Sequence, residues 1–509
     1  MFLMPVSNHE CSAVIDSLKT SNHRINSVPG RIFKFYRSSI VSVISDMVNQ
    51  CFLQGKYPST LKYAMITPVF KNGEVTSPSN YRPIAVTSFL NKIFEKLIHK
   101  RLLHFILQNN IFSPCQFGFR KGISTQDAVV NLSEYFYDTL NRKEVGIGVF
   151  IDYTKAFDTI NHSILISKMY KYGIRDLPSS LFRSYLENRH QVVKVGSSIS
   201  STRVTNIGIP QGTILGPLLF LLYINDLPKI TQLCQFIIFA DDTTLYFRNL
   251  DPISLQNDCN TGLQLFHNWS LSNRLTVNLS KTSCLLFTNR NLQENSFNIV
   301  CCNEVLKFNE YIKYLGVFID KKLKFDIHIR KICLKISKSI GILFKAKNFV
   351  PFACMKMLYF SFVYSYLKYC LIIWGGTYPS HLNPLIVLQK RAIRLVFSAG
   401  YYEHTSNLFY MCQTLKLPDI YNLNLGLVVF QNKISNVFRR NRDYSTRNRN
   451  NLLTHFQRLT ITQHSVSFSA AQFWNSIPIH IQNSNNLSSF KSKLKTFLMN
   501  NYVDTNSNM

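Results

Sequence analysis

The sequence predicts an α+β protein with a mostly helical C-terminal region, and three observations carry that prediction. Residues 145–151 form a continuous apolar, β-branched run that stops at Asp152. Residues 236–247, FIIFADDTTLYF, run from apolar residues into Asp241 and Asp242 and then alternate. From about residue 325 the periodicity becomes helical, with apolar stripes against Lys/Arg stripes over 327–344 and 384–397. A continuous apolar run reads as a strand buried on both faces, and alternation reads as a half-buried one. The second stretch is therefore a strand, a tight turn and a strand, with two acids at the turn.

The chain opens without a pattern. Residues 40–52 then repeat apolar side chains at helical spacing (Ile40, Val43, Ile44, Met47, Val48, Phe52), which predicts an N-terminal helical arm. Residues 64–70 read as a strand and lead through Lys71 to a polar loop. Residues 91–107 predict an amphipathic helix whose outer face carries Lys92, Lys96, Lys100 and Arg101. Thr125 and Asp127 are the cap residues expected for the next helix, and Thr159 or Asn161 for the one that stops at Gly173. Residues 191–195 and 202–205 predict a hairpin around Gly196. An apolar helix is expected over 218–224, another helix over 263–271, a strand over 283–287, and a last strand through Tyr314-Leu315-Gly316 to Asp320. Phe468, Phe473, Trp474, Phe490, Leu494 and Phe497 mark a compact helical end. No repeat of fixed period is present.

The 509 residues contain 57 Lys and Arg against 27 Asp and Glu, a formal net charge of +30. Such an excess repels itself unless it meets a polyanion, so nucleic acid is the first partner to consider. Hydrophobic content of 46% argues against disorder as the default. The twelve cysteines contain no CxxC pair, as expected of free thiols in a reducing compartment. Cys354, Cys370, His404 and Cys412 lack the usual spacing of zinc ligands. The N-terminus has no basic stretch ahead of an apolar core, so no signal peptide is expected. Residues 355–374 are aromatic-rich and carry Lys356 and Lys368, which predicts a buried helix, not a membrane span.

A lone Asp at a strand end usually closes a turn. Two such acids on neighbouring strands have another use: Asp152 and Asp241 would hold a pair of Mg²⁺ ions roughly 3.5–4 Å apart, the geometry of two-metal phosphoryl transfer. The motifs around them, in order, are Asn80-Tyr81-Arg82-Pro83-Ile84, Gln116-Phe117-Gly118-Phe119-Arg120, Asp152 with Lys155-Ala156-Phe157-Asp158, Gly208-Ile209-Pro210-Gln211-Gly212, Phe239-Ala240-Asp241-Asp242, Lys281 and Tyr314-Leu315-Gly316. This series resembles the reverse transcriptases of non-LTR (LINE-type, jockey-like) retrotransposons from about residue 62 to 320, and more loosely beyond.

The resemblance implies a right-hand polymerase: an antiparallel-sheet palm with helices, fingers and a helical thumb. It implies an RNA-directed DNA polymerase that extends a DNA primer on template RNA with deoxynucleoside triphosphates. Asp152 and Asp241 would ligate two Mg²⁺ ions, with Mn²⁺ able to substitute and the Ile151 carbonyl or Asp242 in support. Lys281 would neutralise or protonate the pyrophosphate. Arg82 and Arg120 would reach triphosphate oxygens. Phe157 would crowd the sugar 2′-position, Gln211 would hydrogen-bond the nucleotide, and Gly212 would allow close backbone approach. Tyr314, Leu315 and Gly316 would grip the primer end. The expected location is intracellular, in cytoplasm and nucleus as a ribonucleoprotein, without membrane association.

These elements normally carry an apurinic-type endonuclease ahead of the polymerase. The residues before 60 are too few to hold one, so a 5′-truncated copy is expected. The alternative function is a catalytically inactive RNA-binding remnant or repurposed copy. A group II intron-type maturase would usually have Tyr where Phe239 stands. The expected divisions are an N-terminal arm (1–60), fingers and palm (61–322), a thumb-like helical segment (323–400) and a basic C-terminal region (401–509). Within the last, residues 433–458 hold Arg439, Arg440 and Arg442 among other cations, against the single acid Asp443. With Phe438, Tyr444 and Phe456 interleaved, this tract is either an RNA-binding segment or a solvated linker.

Overall fold

The computed structural model describes residues 1–20, 27–431, 452–454 and 456–502. Its strands, in chain order, are β1 (Tyr63–Phe70), β2 (Tyr81–Val86), β3 (Val145–Ile151), β4 (Arg189–Val195), β5 (Ser198–Ile199), β6 (Arg203–Thr205), β7 (Gln235–Phe239), β8 (Asp242–Asn249), β9 (Ser283–Phe287), β10 (Val300–Cys301), β11 (Glu304–Val305), β12 (Tyr311–Tyr314) and β13 (Val317–Asp320). The central sheet has the order β7-β8-β3-β9, antiparallel throughout. A second sheet, β2-β1-β4-β5 with β6 on β4, contains the parallel pair β1–β4.

Every residue of β3 is buried, as its unbroken apolar run requires. Its alternate faces serve two cores. Val145, Ile147, Val149 and Ile151 join a core that gathers side chains from Val6 to Leu306, whereas Phe150 joins one built from the Thr125–Asn141 helix and from Tyr314 to Tyr502. Gly146 is required on the second face, because a Cβ there would lie 2.2 Å from the Tyr246 hydroxyl. The N-terminal residues belong to the first core. Arg101 donates to both Glu10 carboxylate oxygens at 2.8 and 2.7 Å and to the carbonyls of Met4 and Pro5.

The C-terminal helices dock on the Thr125–Asn141 helix. Glu134 Oε1 accepts from the amides of Val466 and Ser467 at 2.7 and 3.3 Å, at the first turn of the Val466–Ser476 helix, where a carboxylate is favourable. Arg458 donates to the Leu140 and Asn141 carbonyls at the C-terminal end of the Thr125–Asn141 helix.

Local details differ from the sequence expectations. Ser124, not Thr125, caps the Thr125–Asn141 helix, in a reciprocal box with Asp127. The helix expected over 263–271 begins at Pro252, behind an Asp251 cap. Residues 355–374 are not one helix. They run through Phe352–Tyr359, a π-helical turn at Phe360–Tyr364 and Ser365–Lys368, then restart at Leu371–Trp374 after Cys370 at φ 50°. Tyr314-Leu315-Gly316 is not a continuous strand: Leu315 and Gly316, with φ of 44° and 84°, form the turn between β12 and β13. No helix among the described residues is long and apolar enough to cross a membrane.

Candidate active site

β3 and β8 pair antiparallel with Ile151 opposite Thr243. That register carries Asp152, just past the end of β3, to the turn joining β7 and β8. The turn is two residues long, Ala240 and Asp241, closed by the pairing of Phe239 with Asp242. The segment after the Pro252–Ser272 helix completes the arrangement. Asn278 donates its amide to the Asp152 carbonyl at 2.7 Å, Thr154 donates to the Thr276 carbonyl at 2.9 Å, and Lys281 Nζ lies 3.5 Å from Asp152 Oδ2.

Asp152, Asp241 and Lys281 face one cleft of about 1140 Å³, whose other walls carry Arg82, Phe157 and Gln211. Lys71, at the end of β1, also lines it. Asp242 is not on the wall, because adjacent residues entering a strand point to opposite faces. Burial raises the Asp241 carboxyl above its usual range, and the Asp152 charge adds to the effect. Burial, then Asp241, then Asp152 push Asp242 up to about 6. Among the described residues neither Asp241 nor Asp242 has an ion-pair partner.

The remaining candidates divide. Phe157 lines the cleft and is held flat against Phe220, ring centroids 4.3 Å apart at 18°. Gln211 Nε2 donates to Asp158 Oδ1 at 2.9 Å, and the Gln211 carbonyl accepts from Ala85 at 2.7 Å, tying the turn to β2. Gly212 sits at φ 99°, where a Cβ would approach the Ala85 carbonyl to 3.1 Å. Arg120 is not part of the cleft wall: its Nη1 donates to the carbonyls of Ser113 and Gln116 at 3.2 and 3.0 Å. Tyr314 is buried against Phe150, so the primer-end assignment cannot use its side chain. What reaches the surface there is the Leu315–Gly316 turn, whose Leu315 carbonyl accepts from the Tyr369 hydroxyl at 2.6 Å. Arg439, Arg440 and Arg442 lie outside the described residues.

Two buried side chains behind the site were given no role from the sequence: Glu95 carried no local signal, and Gln116 stood in a motif without an assigned part. Glu95 is fully buried and accepts from Asn91 Nδ2, the Tyr185 hydroxyl and the Ile214 amide at 2.9, 2.9 and 2.7 Å, holding the segment that follows Gln211. Gln116 is 2% exposed and contacts the Ala240 amide.

For a divalent cation, the donor set is hard carboxylate oxygen on two strand ends, where like charges crowd one another. That suits Mg²⁺, which uses one or two carboxylates and completes its shell with water and substrate phosphate. Among the described residues no group of three or more His, Cys, Asp or Glu is gathered as a ready metal site, and this holds also for Cys354, Cys370, His404 and Cys412. All twelve cysteines are free thiols.

An antiparallel palm sheet with acids at adjoining strand ends, faced by a second sheet bearing cations, is the architecture of a template-directed polymerase. Residues 69–319 match the family model described as reverse transcriptase (RNA-dependent DNA polymerase). The chain is 32% identical over 373 residues to the probable RNA-directed DNA polymerase from transposon BS of Drosophila melanogaster. It is 28% identical over 381 residues to the RNA-directed DNA polymerase from mobile element jockey of the same species. These matches cover 69% and 72% of this chain, and it spans 40% of the length of each relative. The solved structure of telomerase from Candida albicans aligns over 80% of this chain and 75% of its own, with 14% identity and a TM-score of 0.42. Residues 69–319 are thus similar to reverse transcriptases, and the relatives that match this chain come from mobile elements.

Proposed function

We propose that this chain is an RNA-directed DNA polymerase that adds deoxynucleotides to a primer 3′ end on an RNA template by two-metal-ion phosphoryl transfer. The observation that carries the reading is the convergence of Asp152, Asp241, Lys281, Arg82, Phe157 and Gln211 on a single cleft.

Asp152 and Asp241 would hold two Mg²⁺ ions, with the Ile151 carbonyl or Asp242 in support. Bound there, Mg²⁺ or Mn²⁺ supplies charge neutralisation for the phosphoryl oxygens. Lys281, beside Asp152, is placed to neutralise or protonate the departing pyrophosphate. Arg82 and Lys71 present cations to the triphosphate from the facing sheet. The Phe157 ring, stacked on Phe220, leaves little room for a 2′-hydroxyl. Gln211, already bonded to Asp158, offers its remaining amide positions to the nucleotide. In this reading 1–60 are an N-terminal arm, 61–322 fingers and palm, 323–400 the thumb-like segment and 401–509 the C-terminal region.

The test is primer extension by the purified chain on an RNA template, with Mg²⁺ and either deoxy- or ribonucleotides. Template-dependent deoxynucleotide addition that is lost in Asp152→Asn supports the reading. RNA binding without extension under either Mg²⁺ or Mn²⁺ would instead identify a non-catalytic RNA-binding copy.

A further inference from the structure

The turn that carries Asp241 is held in an unfavourable conformation. Ala240 has φ 57°, a left-handed region that a side-chain-bearing residue adopts only at a cost relative to the right-handed one. Such a conformation persists only where its surroundings enforce it. What packs on this turn is residues 115–120, remote in sequence. The Phe117 amide donates to the Ile238 carbonyl at 2.7 Å, and the Ile238 amide donates to the Cys115 carbonyl at 2.9 Å, so the segment adds a short parallel rung to the edge of β7. At Gly118 a Cβ would lie 2.4 Å from the Ala240 nitrogen. Only glycine permits that approach.

Gln116 sits at the centre of the contact. Its Oε1 accepts from the Gly118 amide at 2.8 Å and from the Ala240 amide at 3.1 Å. Two N–H groups aimed at one atom require that atom to be the oxygen, which fixes the orientation of the amide. Arg120 pins the segment from behind by bonding the Ser113 and Gln116 carbonyls and lying 5.4 Å from the Phe112 ring centroid. Phe119 meets Phe157 edge-on at 6.4 Å. One short segment thus touches both the Asp241 turn and the ring proposed to sense the sugar.

We infer that Gln116 is a positioning residue: by accepting the Ala240 amide it holds the left-handed turn that aims Asp241 into the cleft. The inference rests on the proposed polymerase reading for its catalytic consequence, not for its structural one. A residue acting in this way touches neither nucleotide nor template. Its loss should lower kcat and leave RNA affinity unchanged.

The experiment compares Gln116→Met, which keeps volume and removes the acceptor, with Gln116→Met/Ala240→Gly in the full chain. Glycine adopts positive φ at no steric cost, so it should rescue a defect that arises from a turn no longer held. Gln116→Met should lose about 100-fold in kcat, as expected for a displacement of about 1 Å at a reacting centre. Template RNA affinity should not change, and the double variant should recover most of the loss. Hydrogen–deuterium exchange of the peptide spanning 236–247 should quicken in Gln116→Met, while exchange in the Leu487–Met499 helix stays as it was. Unchanged exchange in 236–247 overturns the inference. So does a kcat loss that Ala240→Gly leaves untouched. If the parent chain extends no primer, the polymerase reading fails, and the exchange comparison alone decides whether Gln116 holds the turn.

Discussion

The cleft and the seam on the Thr125–Asn141 helix treat carboxylates in opposite ways. At the seam, Glu134 is answered by two amides, and nearby Asp320 accepts from the amides of Lys322, Lys324 and Phe325 at 3.0, 3.1 and 2.7 Å. At the cleft, Asp241 crowds Asp152 from the wall and Asp242 from behind it, with Lys281 at 3.5 Å from Asp152 as the one ion pair among the described residues there. Amides offset part of the cost of burying Glu134, whose carboxyl burial still raises above its usual range. Crowded acids without such partners cost free energy until a cation arrives. The difference separates structural acids from the candidate site without reference to any relative.

Substitutions should respect that division. The largest expected effect is in the cleft: Asp241→Asn should cut primer extension by about 1000-fold or more, because it removes a charged metal ligand. RNA binding measured by filter retention should persist, since the basic surface is untouched. Asp242→Asn should be milder, as that side chain lies off the cleft wall. Extension by Asp241→Asn at a near-parental rate would dissolve the distinction drawn here.

Phe157→Val should come next. The ring is lost, and the preference for deoxy- over ribonucleotides, read as a ratio of kcat/KM values, should fall by about 10-fold or more. A ratio that does not move would make Phe157 a core aromatic packed on Phe220 and nothing else. At the seam the effect should be on stability alone. Glu134→Ala leaves two amides at a helix start unanswered and should cost about 1–3 kcal/mol, read as a lower Tm with unchanged extension on saturating template below the transition. A fall in extension without a fall in Tm would couple the seam to the chemistry. The smallest effect is expected for Arg458→Ala. Removing a cation from a helix C-terminus costs about 0.3–1 kcal/mol and should leave the salt dependence of RNA binding unaltered. A flatter salt slope would return Arg458 to the RNA-binding tract.

Much of the palm is determined by the sequence itself. The apolar run of β3 and the alternation of β8 fix strands and faces because side chains repeat with period two, and the acids stand where those patterns stop. Of the two caps expected for the His162–Lys171 helix, Thr159 and Asn161, the chain uses Asn161, and the break at Gly173 was legible from glycine's access to positive φ. Tertiary structure decided the rest. The placement of Asp152 beside Asp241 depends on β3–β8 register, and the division of β3 between two cores depends on which helices cover each face. Arg120 was expected at triphosphate oxygens from the resemblance alone, but its guanidinium bonds the Ser113 and Gln116 carbonyls, which only the folded segment brings near. Tyr314 carried a strand pattern, yet the left-handed pair Leu315–Gly316 turns the chain and leaves the ring inside. Glu95 had no local pattern at all, and Gln116 stood in a quoted motif without a role of its own. Each is a buried polar group whose partners, the Ile214 and Ala240 amides, lie more than a hundred residues away. Short-range periodicity encodes strands, helices and their faces. Hydrogen bonds between distant segments are set only when burial removes water as the competing partner.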